Sequence, residues 1–145
     1  MYRVILGRGD IAFQTRKNIS IADNFRLSEL ACKSEDSDVQ VVMLNYLLVD
    51  KLQELRNRIN YYQKQKNLKE IPIFITSGYR TKEHNKRVGG AERSLHLSGL
   101  AVDIQVDYDF ERVIKLAKEI GFTGIGRYRN HLHLDLGEKR YWESR

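Results

Sequence analysis

The clearest pattern in the chain is an apolar residue at every third or fourth position between Val39 and about Lys66. This spacing places side chains on one face of an α-helix, so it predicts one long amphipathic helix whose apolar face lies in the core. The members of this stripe are Leu44, Leu48, Leu52, Leu55, Ile59 and Tyr62.

Shorter helices are predicted by the residues at their ends. Ser28 and Glu29 resemble a helix start, and Thr81 has the side chain of an N-cap. Gly121 has the backbone freedom to end a helix that precedes it. The helices predicted from these signals cover residues 28–32, 82–88 and 110–120.

Short apolar runs bounded by turn residues predict strands, and most of them lie in the second half of the chain. The predicted strands cover residues 4–6, 73–76, 101–106, 124–128 and 131–136. Helices followed by strands predict an α+β fold, with a small, mostly antiparallel sheet and helices packed on one side. We expect one domain over residues 24–145, with residues 1–23 as an N-terminal extension or arm.

Two of the predicted strands carry a polar row opposite their aliphatic row. Successive side chains of a strand point to opposite faces, so Asp103 faces away from the aliphatic residues at 102, 104 and 106. In the strand predicted at 131–136, the leucines share one face and the other face carries His131, His133 and Asp135. If both strands belong to one sheet, Asp103 can approach His133.

His96 lies in the loop before the Asp103 strand and can fold over the same face. Two imidazoles and one carboxylate are a typical ligand set of catalytic zinc, with a fourth position left for water. Zinc lowers the pKa of that water to about 7, which suits amide hydrolysis. Solvated histidines on an exposed sheet face are the alternative interpretation of the spacing alone.

Composition narrows the class of protein. A chain of 145 residues with 41% apolar content is typical of one globular domain. The single cysteine excludes an internal disulfide and a multi-cysteine zinc site. We find no apolar core of a signal peptide and no run of about 20 apolar residues, so we expect no membrane span.

The formal charge of +6 favours polyanionic partners such as nucleic acid, anionic lipid surfaces and wall polymers. The basic residues are scattered, which is typical of a solvated surface. A nucleic-acid-binding domain is therefore supported by charge alone, and we expect no nucleic-acid partner. We expect the protein to be a monomer.

Several short stretches together form a recognisable signature. They are residues 24–30, 77–81, 85, 88–91, 94–96, 99, 101, 103, 124–128, 133–137 and 142. This signature resembles that of the zinc D-alanyl-D-alanine carboxypeptidase family, over about residues 24–142. The family includes L-alanyl-D-glutamate endopeptidases of phage endolysins and is related in fold to the hedgehog signalling domain, so the resemblance implies that fold for this chain.

The resemblance implies a role for each matching residue. His96, Asp103 and His133 match the zinc ligands of the family. Arg80 matches the arginine that holds the substrate carbonyl oxygen and stabilises developing negative charge, a task that suits a permanently protonated planar guanidinium. Ser94 matches a serine that contacts substrate.

One position departs from the family pattern. Better-known members have a Glu or Asp three residues before the last zinc histidine, which serves as general base, and this chain has Asn130 there. His131 is the nearest replacement, because histidine titrates in the required range. Glu138 is a weaker candidate. Asp135 is expected to orient the imidazole of a ligand histidine.

The resemblance therefore implies a zinc peptidase that acts on cell-wall peptide, as a carboxypeptidase or an endopeptidase, at a bond involving a D-amino acid. An export signal was not found, so we expect synthesis in the cytoplasm and action on the wall after release, as for phage lysis enzymes, or within a larger assembly. The alternative is a zinc-containing module that binds wall peptide or a protein partner without cleaving it, since the usual acid is replaced at Asn130.

Overall fold

The structure of this chain is a computed structural model, and it describes residues 2–7, 9–15, 18–33 and 40–144. The helices are α1 (Leu27–Leu30), α2 (Tyr46–Gln65), α3 (Lys82–Arg87) and α4 (Phe110–Ile120), with a 3-10 turn at Leu95–Ser98. The strands are β1 (Tyr2–Gly7), β2 (Asp10–Thr15), β3 (Ser20–Ala22), β4 (Phe25–Arg26), β5 (Gln40–Asn45), β6 (Ile73–Ser77), β7 (Ala101–Val106), β8 (Gly124–Tyr128), β9 (Leu132–Asp135) and β10 (Arg140–Ser144).

Five strands form the largest sheet, in the order β10-β8-β9-β7-β6. Every neighbouring pair is antiparallel except β10 and β8, which are parallel. The predicted α+β class with a small, mostly antiparallel sheet is confirmed. The sequence interpretation did not include β10, which adds an edge strand to this sheet.

The core lies between this sheet and the two longest helices. The side chains of Ile104, Leu132 and Leu134 are fully buried, as are those of Leu52 and Leu55 on α2. Burial of each such side chain contributes roughly 1.5–3 kcal/mol relative to its exposed state. The sheet is therefore held firmly on its aliphatic face, which leaves its polar side chains to form a site.

The long predicted helix begins later than the sequence pattern indicated. Residues 40–45 form β5, and α2 begins at Tyr46, where the side-chain oxygen of Asn45 caps it by accepting from the Leu47 N–H at 2.9 Å. Leu44 is buried, but on a strand, and Tyr62 is 60% exposed rather than part of the core. Val39 lies outside the described residues.

The first half of the chain contains strands as well as helices, which the sequence interpretation did not expect beyond residues 4–6. β1, β2 and β5 form a three-stranded antiparallel sheet, and β3 pairs with β4. The short strand predicted at residues 4–6 lies within β1. The predicted division at residue 24 stays a prediction.

The shorter predicted helices also form. Thr81 caps α3 by accepting from the His84 N–H, and α4 ends at Gly121 with a φ of 114°. Within the described residues, none of the helices combines the length and apolar character that crossing a membrane requires.

Candidate metal centre

The sheet register brings two of the predicted ligands face to face. Asp103 on β7 is the direct cross-strand partner of His133 on β9, and His133 Nδ1 lies 3.0 Å from Asp103 Oδ1. The alternation of β7 buries Val102 and Ile104 completely while Asp103 stays partly accessible. The approach of the two polar rows therefore follows from strand alternation and pairing.

His96 reaches the same point from the 3-10 turn that precedes β7. Its Nδ1 lies 2.7 Å from the carbonyl oxygen of Gly78, which can only accept, so Nδ1 carries the proton and Nε2 carries a lone pair. Nε2 lies 3.3 Å from Asp103 Oδ1. The backbone thus fixes the tautomer that leaves His96 able to bind a metal ion.

The Gly78 carbonyl is itself held by a close backbone contact with α1. The Tyr79 N–H donates to the Leu30 carbonyl at 2.9 Å. A Cβ atom added at Gly78 would lie 2.7 Å from that same carbonyl oxygen, so a larger residue cannot fit without a backbone shift. The position of His96 therefore depends on contact between two backbone segments.

Three ligating side chains converge at this point. One donor atom each from His96, Asp103 and His133 lies within 4.8 Å of the others, and among the described residues no second group of three does so. The two imidazoles are 2% and 9% exposed, so the site is shielded from bulk water.

The donor set fits a metal cation. A neutral imidazole has one donor and one acceptor, and His133 faces a carboxylate oxygen from each ring nitrogen, at 3.0 Å and 2.7 Å. If Nε2 donates to Asp135, the Nδ1 lone pair faces Asp103 Oδ1, as the Nε2 lone pair of His96 also does. Converging lone pairs repel each other unless a cation or a proton lies between them. Nitrogen and oxygen donors of this kind suit zinc.

The pKa shifts in the group agree with this need for positive charge. Burial alone would raise the pKa of Asp103, but hydrogen bonds from His133 and His96, which these imidazoles donate in their protonated form, hold that pKa below its ordinary value. Burial disfavours the charged form of His133, yet hydrogen bonds to Asp103 and Asp135 raise its pKa. Positive charge is therefore favoured here, whether carried by a proton or by a metal ion.

Asp135 lies behind His133 and is completely buried. Its carboxylate accepts from His133 Nε2 at 2.7 Å, from the Gly137 N–H at 2.9 Å and from the Arg140 guanidinium at 3.2 Å. Burial would raise the pKa of Asp135, but the bonds from His133 and Gly137 hold it below its ordinary value. Gly124 leaves room for this carboxylate, since a Cβ there would lie 2.0 Å from its oxygen.

Arg80 lies beside the converging ligands. Its Nη2 donates to Asp103 Oδ2 at 3.0 Å, while the other oxygen of Asp103 faces the imidazoles. Ser77 and Asn85 accept from the remaining nitrogens of the guanidinium at 2.9 Å and 3.3 Å. The sequence interpretation assigned no role to these two residues, which fix the plane of the guanidinium.

The two other predicted site residues, Ser94 and His131, differ in how they relate to the three ligating side chains. Ser94 caps the 3-10 turn, and its hydroxyl accepts from the His96 N–H at 3.2 Å. His131 precedes β9 and stacks on Tyr128 with ring centroids 4.4 Å apart, and its Nδ1 lies 3.0 Å from Asn130 Oδ1. The structure therefore brings Ser94 next to a ligand, and it does not bring His131 into the group of three.

Trp142 forms a wall of the site to which sequence reasoning assigned no role. Its ring centroid lies 5.2 Å from that of His133, and its Nε1 donates to the Tyr128 hydroxyl at 3.0 Å. The guanidinium of Arg140 stacks over the same indole at 4.6 Å. The neighbouring aromatic residues at 141 and 142 are the strand signal that could have indicated β10.

The chain is similar to known proteins over most of its length. Residues 23–135 match the family described as peptidase M15. A curated relative, the zinc D-Ala-D-Ala carboxypeptidase of Streptomyces albus G, is 32% identical over 79 residues. That alignment covers 50% of this chain and 31% of the relative, so the chain spans less than a third of that relative's length in the match.

Proposed function

Because this chain belongs to the peptidase M15 family, we propose that it is a zinc-dependent peptidase that hydrolyses cell-wall peptide at a bond involving a D-amino acid. The similarity to a protein named as a zinc D-Ala-D-Ala carboxypeptidase supports both the metal and the substrate class. The observation that carries the proposal is the convergence of His96, Asp103 and His133 on one point.

In this proposal, His96, Asp103 and His133 hold the zinc ion. When bound, zinc supplies Lewis acidity, which polarises a substrate carbonyl and lowers the pKa of water to about 7. The chain itself excludes bulk water from the two imidazoles and holds His133 through Asp135, whose carboxylate accepts from Nε2 at 2.7 Å. Such supporting hydrogen bonds orient the ring and raise its basicity.

Arg80 is proposed to bind the carbonyl oxygen of the scissile bond and to stabilise the negative charge that develops on it. The guanidinium remains protonated, and its hydrogen bonds to Ser77, Asn85 and Asp103 hold it in one orientation. A donor that is already oriented stabilises the transition state without reorganisation. Ser94 is proposed to contact the substrate next to His96.

His131 is proposed as the general base. The side-chain oxygen of Asn130 accepts from His131 Nδ1 at 3.0 Å, which places the proton on Nδ1 and leaves the lone pair on Nε2. The Tyr128 ring stacks against the imidazole and limits its rotation. In this proposal, Asn130 orients the general base, whereas the acid at this position in better-known relatives serves as the base itself.

Digestion of purified muropeptides, followed by mass spectrometry, tests the proposal. The zinc-loaded protein is expected to release a terminal residue or a peptide fragment, which also identifies the cleaved bond, and a chelator should abolish release until zinc is restored. Product formation that is insensitive to the chelator would refute a zinc peptidase.

The replacement of the usual acid by Asn130 favours a second candidate, a zinc-containing module that binds wall peptide without cleaving it. One equivalent of bound zinc and no product from any muropeptide would support this module instead. Delivery to the wall by release from the cytoplasm, as for phage lysis enzymes, stays a prediction.

A further inference from the structure

A pocket of about 630 Å³ lies between α3 and the loop that leads to His96. We call it the cationic pocket. It is lined by Lys82, Asn85, Lys86, Gly90, Arg93 and Leu97, together with Glu92. Asn85 is the lining residue that contacts the proposed reaction site, through Arg80.

The cationic pocket shares a wall with the proposed reaction site. Asn85 is 4% exposed, its side-chain oxygen accepts from Arg80 Nη1 at 3.3 Å, and its amide nitrogen donates to the Ala91 carbonyl at 2.8 Å. A Cβ at Gly90 would lie 2.1 Å from the Asn85 side-chain oxygen and 3.1 Å from Arg80 Nη1. A ligand in the pocket is therefore separated from the guanidinium by one side-chain amide.

The charges of the pocket are unbalanced. Lys82, Lys86 and Arg93 are exposed, and none of them forms an ion pair with any residue that the structure describes. Glu92 is the single carboxylate among the lining residues. Several unpaired cations around one cleft produce a positive potential, which concentrates anions there.

We propose that the cationic pocket binds a free carboxylate of the peptide substrate, one that does not take part in the cleaved bond. The inference rests on the proposed function and narrows it to substrates with an acidic group on this side of Arg80. Leu97 offers an apolar contact for the short aliphatic part of the same residue, and the lysine and arginine side chains bind its carboxylate. A ligand held there positions the neighbouring peptide carbonyl toward Arg80.

The test compares two triple variants with the same change in net charge. The pocket variant carries Lys82→Gln, Lys86→Gln and Arg93→Gln. The control variant carries Lys66→Gln, Arg112→Gln and Lys115→Gln, three exposed residues that line a different pocket, between the C-terminal end of α2 and α4. Each protein, loaded with zinc, is given a cell-wall pentapeptide in three forms: unmodified, with its internal carboxylate amidated, and with its C-terminal carboxylate amidated.

An exposed ion pair contributes about 0.2–1 kcal/mol, which corresponds to about a 1.5- to 5-fold change per cation. We expect KM for the unmodified peptide at low salt to be about tenfold higher in the pocket variant than in the wild type. The KM of the control variant should stay within about twofold of the wild-type value. Amidation of one carboxylate should raise KM for the wild type by a similar factor and should have no further effect in the pocket variant. Equal KM values for the two variants would overturn the inference. It would also be overturned if the pocket variant distinguished the unmodified peptide from the amidated ones as strongly as the wild type does.

Titration calorimetry with the same peptides separates this inference from the proposed function. Binding that depends on one carboxylate and on the pocket cations, without turnover, would retain the pocket and refute the peptidase. Turnover in which neither amidation matters would retain the peptidase and refute the pocket. Zinc content and thermal melting, measured for every variant, should match the wild type, because the six substituted positions lie outside the ligand group.

Discussion

Asp135→Asn is the substitution that most directly tests how the metal centre is built. The side chain keeps its size, but one carboxylate oxygen becomes an NH2 group and the negative charge is lost. The native carboxylate is fully buried and accepts from His133 and Arg140 on one oxygen and from the Gly137 N–H on the other. All three partners are donors, so an amide cannot satisfy them in either orientation.

The expected losses of stability and of zinc affinity follow from that mismatch. If the amide oxygen faces His133, the NH2 group faces the Gly137 N–H, and the reverse orientation sets the NH2 group against His133 and Arg140. A buried donor left without an acceptor costs about 1–3 kcal/mol. Loss of the group that orients a ligand imidazole lowers metal affinity by about 10- to 100-fold.

Two measurements check these values. Competition against a chromophoric chelator gives the zinc affinity, and urea unfolding of the metal-free protein gives the free energy of unfolding. Glu138→Gln is the matched control, because it removes the same charge from an exposed residue three positions away, and it should change neither value appreciably. If Asp135→Asn lowers stability but leaves zinc affinity unchanged, the carboxylate supports the fold only, and its proposed role in positioning His133 is refuted.

Three further outcomes are expected. His133→Ala should abolish stoichiometric zinc binding in metal analysis, together with the increase in melting temperature that zinc gives the wild type; full zinc occupancy would disprove the ligand role. His131→Ala should retain zinc and lower kcat by roughly 10²–10⁴-fold, and an unchanged kcat would exclude His131 as general base. Gly124→Ala should lower the free energy of unfolding by about 1–3 kcal/mol in urea titrations, because its Cβ would overlap the Asp135 carboxylate; wild-type stability would show that this contact relaxes freely.

The parts of the fold that the sequence predicts correctly depend on local periodicity. Alternation along β7 separates Asp103 from its aliphatic neighbours, and antiparallel pairing then sets it opposite His133. The ends of α3 and α4 follow from Thr81 and Gly121, whose cap geometry is set within one turn of chain.

The errors in the sequence interpretation arise where distant segments decide the outcome. The apolar stripe continues from Leu44 into α2 without a break, and only the pairing of residues 40–45 with β2 makes that segment a strand. Strand alternation does not reach His131, because β9 begins at Leu132 and the imidazole stacks on Tyr128, so its role as general base stays a prediction.

The complete burial of Asp135 depends in the same way on non-local contacts. The room for its carboxylate comes from Gly124 on β8, and one of its hydrogen-bond donors comes from Arg140 on β10. Neither contact leaves a periodic signal in the sequence, so a polar row was predicted where the structure has a buried network.

The contact between Gly78 and Leu30 makes the position of the His96 imidazole depend on α1, which ends 66 residues earlier in the chain. A saturation library should recover almost nothing but glycine at 78, while nearby exposed positions accept many residues. Substitutions that tilt α1 should reach the histidine through the main chain alone, with no intervening side chain to absorb the shift. For a protein engineer, substitutions in α1 therefore offer a way to change the affinity for the metal ion without altering any side chain that surrounds it.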